Sequence, residues 1–166
     1  MSDVSTLPYR PCAGAMILNA AGEVFVGQRL DSTLEAWQMP QGGIDDGEDA
    51  LAAAIREIGE ETGIVPGHLQ LVSEAPDELR YDLPEELVGK LWQGKWRGQR
   101  QRWFLFAFTG SDTDIDIRTA HPEFRTWKWA APQELPAMIV PFKRALYEAV
   151  LAAFAEPLRL RDKTRA

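Results

Sequence analysis

Cysteine, histidine and positive charge are all scarce in this chain of 166 residues. Cys12 is the only cysteine, so the sequence excludes an internal disulfide and a zinc cage built from cysteines. We expect Cys12 to be a small buried side chain on a strand. No apolar run is long enough to span a bilayer, and the N-terminal residues lack the basic and apolar regions of a signal peptide. These absences predict a cytoplasmic protein.

The acidic residues outnumber the basic ones, and the net charge of −7 argues against a general nucleic-acid binder. The charges are unevenly placed, however. Residues 90–102, which read KLWQGKWRGQRQR, include lysine and arginine but no acidic residue, whereas acidic residues concentrate in 45–61 and 77–86. An acidic pocket beside a separate basic strip can hold a metal ion and a polyanion together.

The hydrophobic pattern predicts a single domain over residues 1–166, because 45% of the residues are hydrophobic and no repeat or low-complexity linker interrupts the chain. Strands are predicted at 12–18, 24–28, 69–73, 79–81, 101–109 and 124–129. Helices are predicted at 48–62, with Asp46 as N-cap and Gly63 just beyond the end, and at 141–154. Residues 159–166 are expected to be a frayed basic tail. This order predicts an α/β fold in which a mixed sheet lies between helices, in three layers.

Three carboxylates crowd the end of the first predicted helix, in the stretch REIGEETGI that begins at Arg56. Glu57, Glu60 and Glu61 share one helix face, where like charges repel, and the negative end of the helix dipole adds to the cost. A hard divalent cation such as Mg²⁺ would reverse both effects, since it prefers oxygen ligands. Arg56 could pair with one of these carboxylates and fix its rotamer. Taken alone, the stretch is more typical of a solvated acidic helix face than of a metal site.

The residues upstream decide between these interpretations. Together with the acidic helix end they form the pattern G-x5-E-x7-R-E-U-x-E-E-x-G-U, in which U is a bulky aliphatic residue. The matching positions are Gly42, Glu48, Arg56, Glu57, Ile58, Glu60, Glu61, Gly63 and Ile64. This is the complete Nudix box, and the chain resembles the Nudix hydrolases over nearly all its length.

The resemblance implies a Nudix α/β/α sandwich with the box as a loop–helix–loop, and hydrolysis of a nucleoside diphosphate linked to another group. It also implies Mg²⁺ or Mn²⁺ held by Glu57, Glu60 and Glu61, with help from the peptide carbonyl of Gly42. Arg56 would support catalysis from beside these ligands.

Several segments outside the box resemble one branch of the family, which includes bacterial RNA pyrophosphohydrolases and plant-type dinucleoside tetraphosphate hydrolases. They are YRP at 9–11, WQMPQGG at 37–43, LRY at 79–81, GQRQRWF at 98–104, PEF at 122–124 and FKR at 142–144. In that branch the glutamate matching Glu123 approaches the metals, so Glu123 is a candidate fourth ligand or general base. Glu57 is the other candidate for the base.

The same resemblance suggests contacts to the substrate. Arg10 would contact nucleotide or phosphate, Gln41 would line the entrance to the glycine loop, and Tyr81 would stack on a base. Arg102 or Lys143 would hold the outer phosphates. Each residue has an ordinary alternative: Arg10 and Lys143 as surface cations, and Tyr81 as a core side chain.

Two substrates fit this branch: the 5′-triphosphate end of RNA, and dinucleoside polyphosphates such as diadenosine tetraphosphate. Another Nudix substrate, or a catalytically silent domain that binds nucleotide or RNA, is the alternative. A silent domain would be expected to lose a glutamate or the arginine of the box, and this chain retains them all. No membrane and no obligate protein partner are expected.

Overall fold

The computed structural model describes residues 6–32 and 34–165. Within them, strands of both directions form one mixed sheet in the order β4-β6-β1-β2-β7, with β3 paired to β1 and β5 paired to β6. The strands are β1 (Tyr9–Leu18), β2 (Val24–Arg29), β3 (Gln41–Gly43), β4 (Leu69–Glu74), β5 (Leu79–Asp82), β6 (Gly98–Phe108) and β7 (Phe124–Ala130). The six predicted strands are confirmed, and β3 is added to them. Strands β1 and β2 pair as an antiparallel hairpin.

Strand β1 organises the sheet because it has different neighbours along its two edges. It runs parallel to β6 on one side. On the other side, Cys12, Ala13 and Gly14 pair with β3, and Leu18 pairs with the start of β2. The sheet therefore divides at this edge, and the short glycine strand β3 comes to lie directly beside the first helix.

The helices are α1 (Ala50–Thr62), α2 (Leu135–Met138), α3 (Arg144–Ala153) and α4 (Ala155–Arg165). Helix α1 begins later than predicted: Asp49, not Asp46, is its N-cap and accepts a hydrogen bond of 3.2 Å from the amide of Ala52. Its predicted end is confirmed, because Gly63 has the left-handed φ of 73° and takes it without steric cost.

Two corrections concern the C-terminal region. Residues 141–143 form a single 3-10 turn, and α3 begins only at Arg144. Beyond α3 the chain continues as helix α4 up to Arg165, where the sequence predicted a frayed tail; Ala166 lies outside the described residues. Helix α4 carries Leu158 against the core, and this packing gives the segment a reason to remain helical.

The sheet is buried on both faces, as the predicted three-layer order requires, and residues alternate between the two faces along β6. Phe104 and Phe106 face α1 and pack with Ile58, whereas Trp103 and Leu105 face the opposite side. On that side the core includes Leu146, Tyr147, Val150 and Phe154 from α3 and its end. No helix in the described residues combines the length and the apolar character that crossing a membrane requires.

Candidate active site

The glycine strand β3 and helix α1 bring the box together. The carboxylate of Glu57 lies against the α-carbon of Gly42, so closely that a methyl group at position 42 would overlap it. On the other side of the strand, the guanidinium of Arg10 covers Gly43, where a methyl group would come within 2.6 Å of its Nη2. Gly42 thus makes room for the Glu57 carboxylate, which Arg56 holds in place, whereas the contact at Gly43 is with the end of the flexible Arg10 side chain.

Arg56 connects most of the polar groups of the box. Its Nε and Nη2 donate to both oxygens of Glu48 at 2.8 and 2.9 Å, and Nη2 also donates to the carbonyl of Gly43 at 2.8 Å. Its Nη1 donates to Glu57 at 2.8 Å and to Glu60 at 3.2 Å. The predicted pairing of Arg56 with the acidic cluster is therefore confirmed, and Glu48 fixes the guanidinium from the other end.

The three box glutamates differ in their environments. Glu61 is only 4% exposed and accepts a hydrogen bond of 3.2 Å from the amide of Gln41. Burial, followed by the charges of Glu57 and Glu123, raises the pKa of Glu61 well above its usual range. Burial also raises the pKa of Glu57, against the opposing charge and hydrogen bond of Arg56. Glu60 is more exposed, with 53% of its side chain accessible.

Glu123 joins this group from outside the box. It precedes β7, and its charge reaches both Glu57 and Glu61. Its carboxylate lies 3.9 Å from the guanidinium of Arg29, and its carbonyl accepts a hydrogen bond from the amide of Leu30. The structure thus brings Glu123 within electrostatic reach of Glu57 and Glu61, which sequence reasoning assigned to the same metal site.

Arg29 is a site residue that sequence reasoning missed. It ends β2, where a shift in the pairing with β7 occurs, and Asp31 holds its guanidinium by bonds of 2.7 and 2.6 Å. Its positive charge acts on Glu61 and Lys143 as well as on Glu123. The signal available in the sequence was a single basic residue at the end of a strand, which does not distinguish it from an ordinary surface arginine.

The donor set of the site suits a hard divalent cation. Carboxylate oxygens and the carbonyl of Gly42 are the ligands that Mg²⁺ and Mn²⁺ prefer, and a cation would relieve the mutual repulsion of Glu57, Glu61 and Glu123. Among the described residues, no group of three or more acidic, histidine or cysteine side chains is arranged so that it could hold a metal ion. Glu57 and Glu60 bond to Arg56 instead.

The predicted substrate contacts divide between the two faces of the sheet. Arg10 lies over Gly43 and faces the ring of Trp92 at 5.9 Å. Tyr81 is 7% exposed, and the ammonium of Lys143 lies 5.1 Å from its ring centre. Burial, followed by the charge of Arg29, lowers the pKa of Lys143 to about 8. Arg10, Tyr81 and Lys143 belong to the face that α3 covers.

Gln41 also reaches this face, where its side-chain oxygen accepts from Gln101 at 3.2 Å. Arg102, one residue further along β6, points to the opposite face and is ion-paired with Glu74. The structure therefore does not bring Arg102 together with the other four candidates. Trp103, the next residue of β6, is completely buried in the core.

A mixed sheet between helices, with a complete box folded as loop–helix–loop around Arg56, defines a Nudix hydrolase. The model of the NUDIX domain matches residues 8–150, and the chain belongs to the Nudix family. The predicted family, fold and enzyme class are thereby confirmed. Nudix hydrolases generally use divalent metal ions.

Curated relatives resemble this chain over almost its full length. An RNA pyrophosphohydrolase of Sphingopyxis alaskensis is 60% identical over 154 residues, which cover 93% of this chain and 98% of the relative. An RNA pyrophosphohydrolase of Roseobacter denitrificans is 57% identical over 152 residues, covering 92% of this chain and 95% of the relative.

Solved structures share the fold at lower identity. The Ap4A hydrolase of C. elegans in a binary complex has a TM-score of 0.62 at 22% identity, over 87% of this chain and 98% of its own. The dihydroneopterin triphosphate pyrophosphohydrolase of E. coli has a TM-score of 0.64 at 22% identity, over 86% of this chain and 96% of its own. These similarities support the Nudix fold.

Proposed function

We propose that this chain is a cytoplasmic RNA pyrophosphohydrolase that uses Mg²⁺ or Mn²⁺ to remove pyrophosphate from 5′-triphosphorylated RNA. The observation that carries the proposal is the placement of an acidic cluster beside a separate cationic face. The Glu57 carboxylate lies on one side of β3, with Glu60 bonded to the same nitrogen of Arg56. The Arg10 guanidinium lies on the other side of β3, and Lys143 packs against Tyr81 on that face of the sheet. The names of relatives at 53–60% identity favour RNA as the carrier of the phosphates.

The metal would be held by Glu57, Glu60, Glu61, Glu123 and the carbonyl of Gly42. When bound, such a cation neutralises polyphosphate charge and lowers the pKa of a coordinated water. Either Glu57 or Glu123 would accept the proton of the attacking water at a carboxylate oxygen. Release of pyrophosphate requires the bond between the α and β phosphates to break, and the RNA keeps a 5′-monophosphate.

The opposite face would hold the substrate. Arg10, Lys143 and the side-chain amide of Gln41 would contact phosphate oxygens. Tyr81 is 7% exposed and packs in the core, so it would support the ammonium of Lys143 from beneath and leave no ring face for a base. The pairing of Arg102 with Glu74 makes it a poor partner for the phosphates. Arg102 lies on the other face of the sheet from Arg10 and Lys143, so we do not include it in the proposed phosphate site.

The first test compares two substrates. Purified protein with Mg²⁺ or Mn²⁺ is expected to release pyrophosphate from a 5′-triphosphorylated oligoribonucleotide faster than it cleaves diadenosine tetraphosphate at equal concentration. Preferred cleavage of diadenosine tetraphosphate would contradict the choice of RNA. Turnover of neither substrate would contradict the enzymatic role and favour a silent binding domain.

The second test concerns the metal. Glu60→Gln is expected to abolish metal-dependent hydrolysis while leaving the thermal midpoint close to that of the wild type, because this side chain is half-exposed. The matched control is Glu86→Gln, a change of the same type at an exposed position outside the site. Full activity in Glu60→Gln would refute the metal assignment.

A further inference from the structure

A row of buried polar side chains lies beneath Gln41 on the face of the sheet that α3 covers. Gln99 and Gln101 are each 1% exposed, and Trp103 is fully buried. Trp103 Nε1 donates to Gln101 Oε1 at 2.7 Å. Gln101 Nε2 donates to Gln99 Oε1 at 2.6 Å and to Gln41 Oε1 at 3.2 Å. The row thus leads from the core to the edge of the substrate face.

The direction of these hydrogen bonds is determined by one group. An indole N–H can only donate, so Trp103 requires the oxygen of Gln101 to face it. The two amide hydrogens of Gln101 are then both used on Gln99 and Gln41. The oxygen of Gln41 must accept, and its Nε2, with two donor hydrogens, is left to face away from the core.

Strand β1 lies between Trp103 and Gln41, and it leaves room for the hydrogen-bonded side chains because it has a glycine at position 14. Gly14 of β1 pairs with Trp103 on one side and with Gln41 on the other. A methyl group at Gly14 would come within 2.6 Å of the Trp103 indole. The missing side chain therefore allows the indole to lie over β1 and the side chains of Gln101 and Gln41 to meet across it.

We propose that Trp103 and Gln101 are positioning residues that hold Gln41 as a hydrogen-bond donor toward a phosphate oxygen of the substrate. This inference rests on the proposed function, since a polyphosphate supplies only acceptors to this amide. Among the described residues, the structure gives Gln41 Nε2 no protein partner. The donor lies on the same face as Arg10 and Lys143, so the three groups suit one polyanion.

The test reverses donor and acceptor in the hydrogen bond between residue 101 and Gln41. In Gln101→Glu the carboxylate only accepts, so it still satisfies Trp103 but draws the Nε2 group of Gln41 inward and turns its oxygen toward the phosphates. We expect KM for 5′-triphosphorylated RNA to rise about tenfold, the size of one lost hydrogen bond to a charged group, with kcat nearly unchanged. Gln133→Glu, which adds the same charge at an exposed position, is the control and should leave KM unchanged.

A double-mutant cycle separates positioning from structural support and from simple charge repulsion. Gln41→Leu alone should also raise KM about tenfold. If Gln101 acts through Gln41, adding Gln101→Glu to Gln41→Leu should change KM by less than about threefold, because the group that it orients is gone. Equilibrium binding of an oligonucleotide with a methylene group between its α and β phosphates should show the same pattern without hydrolysis.

A second cycle keeps the inference testable if Gln101→Glu does not fold. Trp103→Phe removes the donor, leaves both orientations of the row open and should halve the fraction of Gln41 that can donate. KM should then rise about twofold, and this rise should vanish in the Gln41→Leu background.

In both cycles, the increase in KM of the double variant could equal the product of the increases in the two single variants. With normal wild-type turnover, this result would overturn the positioning role and leave the proposed function standing. Failure of the wild type to bind or hydrolyse 5′-triphosphorylated RNA would contradict the proposed function and the inference together.

Discussion

Gly42→Ala tests whether the glycine strand exists to seat the Glu57 carboxylate. The new methyl group would overlap the carboxylate carbon and both of its oxygens. The backbone of residue 42 is held by pairing with Ala13, so it cannot retreat easily. Glu57 must move instead, although Arg56 holds it by a hydrogen bond of 2.8 Å.

The structure sets the size of the effect. The Glu57 carboxylate carbon would overlap the new methyl group so deeply that it must retreat by more than about 1 Å to regain ordinary contact. A misplacement of about 1 Å at a reacting centre already costs about 100-fold in rate. Overpacking a tight site costs about 1–3 kcal/mol, which a domain with about 5–15 kcal/mol of stability tolerates. We therefore expect a folded protein with kcat reduced about 100-fold and with weakened Mn²⁺ binding.

Three measurements check this expectation: hydrolysis of 5′-triphosphorylated RNA, titration of free Mn²⁺ by electron paramagnetic resonance, and the thermal midpoint. Gly67→Ala is the matched control, because a methyl group there meets nothing within 4 Å. Wild-type Mn²⁺ affinity and turnover in Gly42→Ala would refute the reasoning, since the carboxylate would then not depend on the space above the glycine.

Two further predictions concern pH. Hydrogen bonds from Arg56, followed by one from the backbone amide of Asp45, lower the pKa of Glu48 from 4.5 to about 2. The ionised Glu48 therefore stabilises the folded protein above pH 4.5, and this stabilisation is lost as the pH falls toward 2. Thermal unfolding of Glu48→Gln should therefore depend less on pH in this window, and an unchanged dependence would contradict the assignment. Lys143 loses its charge above its pKa of about 8, so kcat/KM for 5′-triphosphorylated RNA should fall above that pH. Lys143→Arg should flatten this fall and Lys163→Arg should not, and identical profiles for all three proteins would exclude Lys143 from the phosphates.

The sequence predicted the box and the sheet well because each depends on local spacing. Side chains of β6 alternate between the two buried faces of the sheet, and Gly63 marked the end of α1. The start of α1 was missed because its cap depends on a distant contact. Glu48 is drawn to Arg56, and its amide bonds to the carbonyl of Asp45, so residues 45–48 form a turn and the cap moves to Asp49.

The face of the sheet that we propose to bind the substrate was harder to predict. The alternation of side chains along a strand separates two faces but does not say which of them meets the substrate. Alternation along β6 places Arg102 on the side of Phe104, but only the pairing of β3 with β1 shows that Gln41 and Gln101 share the opposite side. Arg29 was missed for a related reason: its role depends on β7 bringing Glu123 beside it.

The acidic helix end is now explained in physical terms. Arg56 neutralises Glu57 and Glu60, both of which it bonds through one nitrogen, so the helix tolerates them without a cation. Glu61 forms no ion pair within residues 6–32 and 34–165; it is buried, accepts from the backbone amide of Gln41 and faces the charges of Glu57 and Glu123, which the charge of Arg29 opposes. The electrostatic cost of the acidic helix end therefore falls mainly on the buried carboxylate of Glu61. A divalent cation at this carboxylate would also draw on the oxygens that Arg56 holds, so Arg56 sets both the position of the ligands and the competition that a metal must overcome.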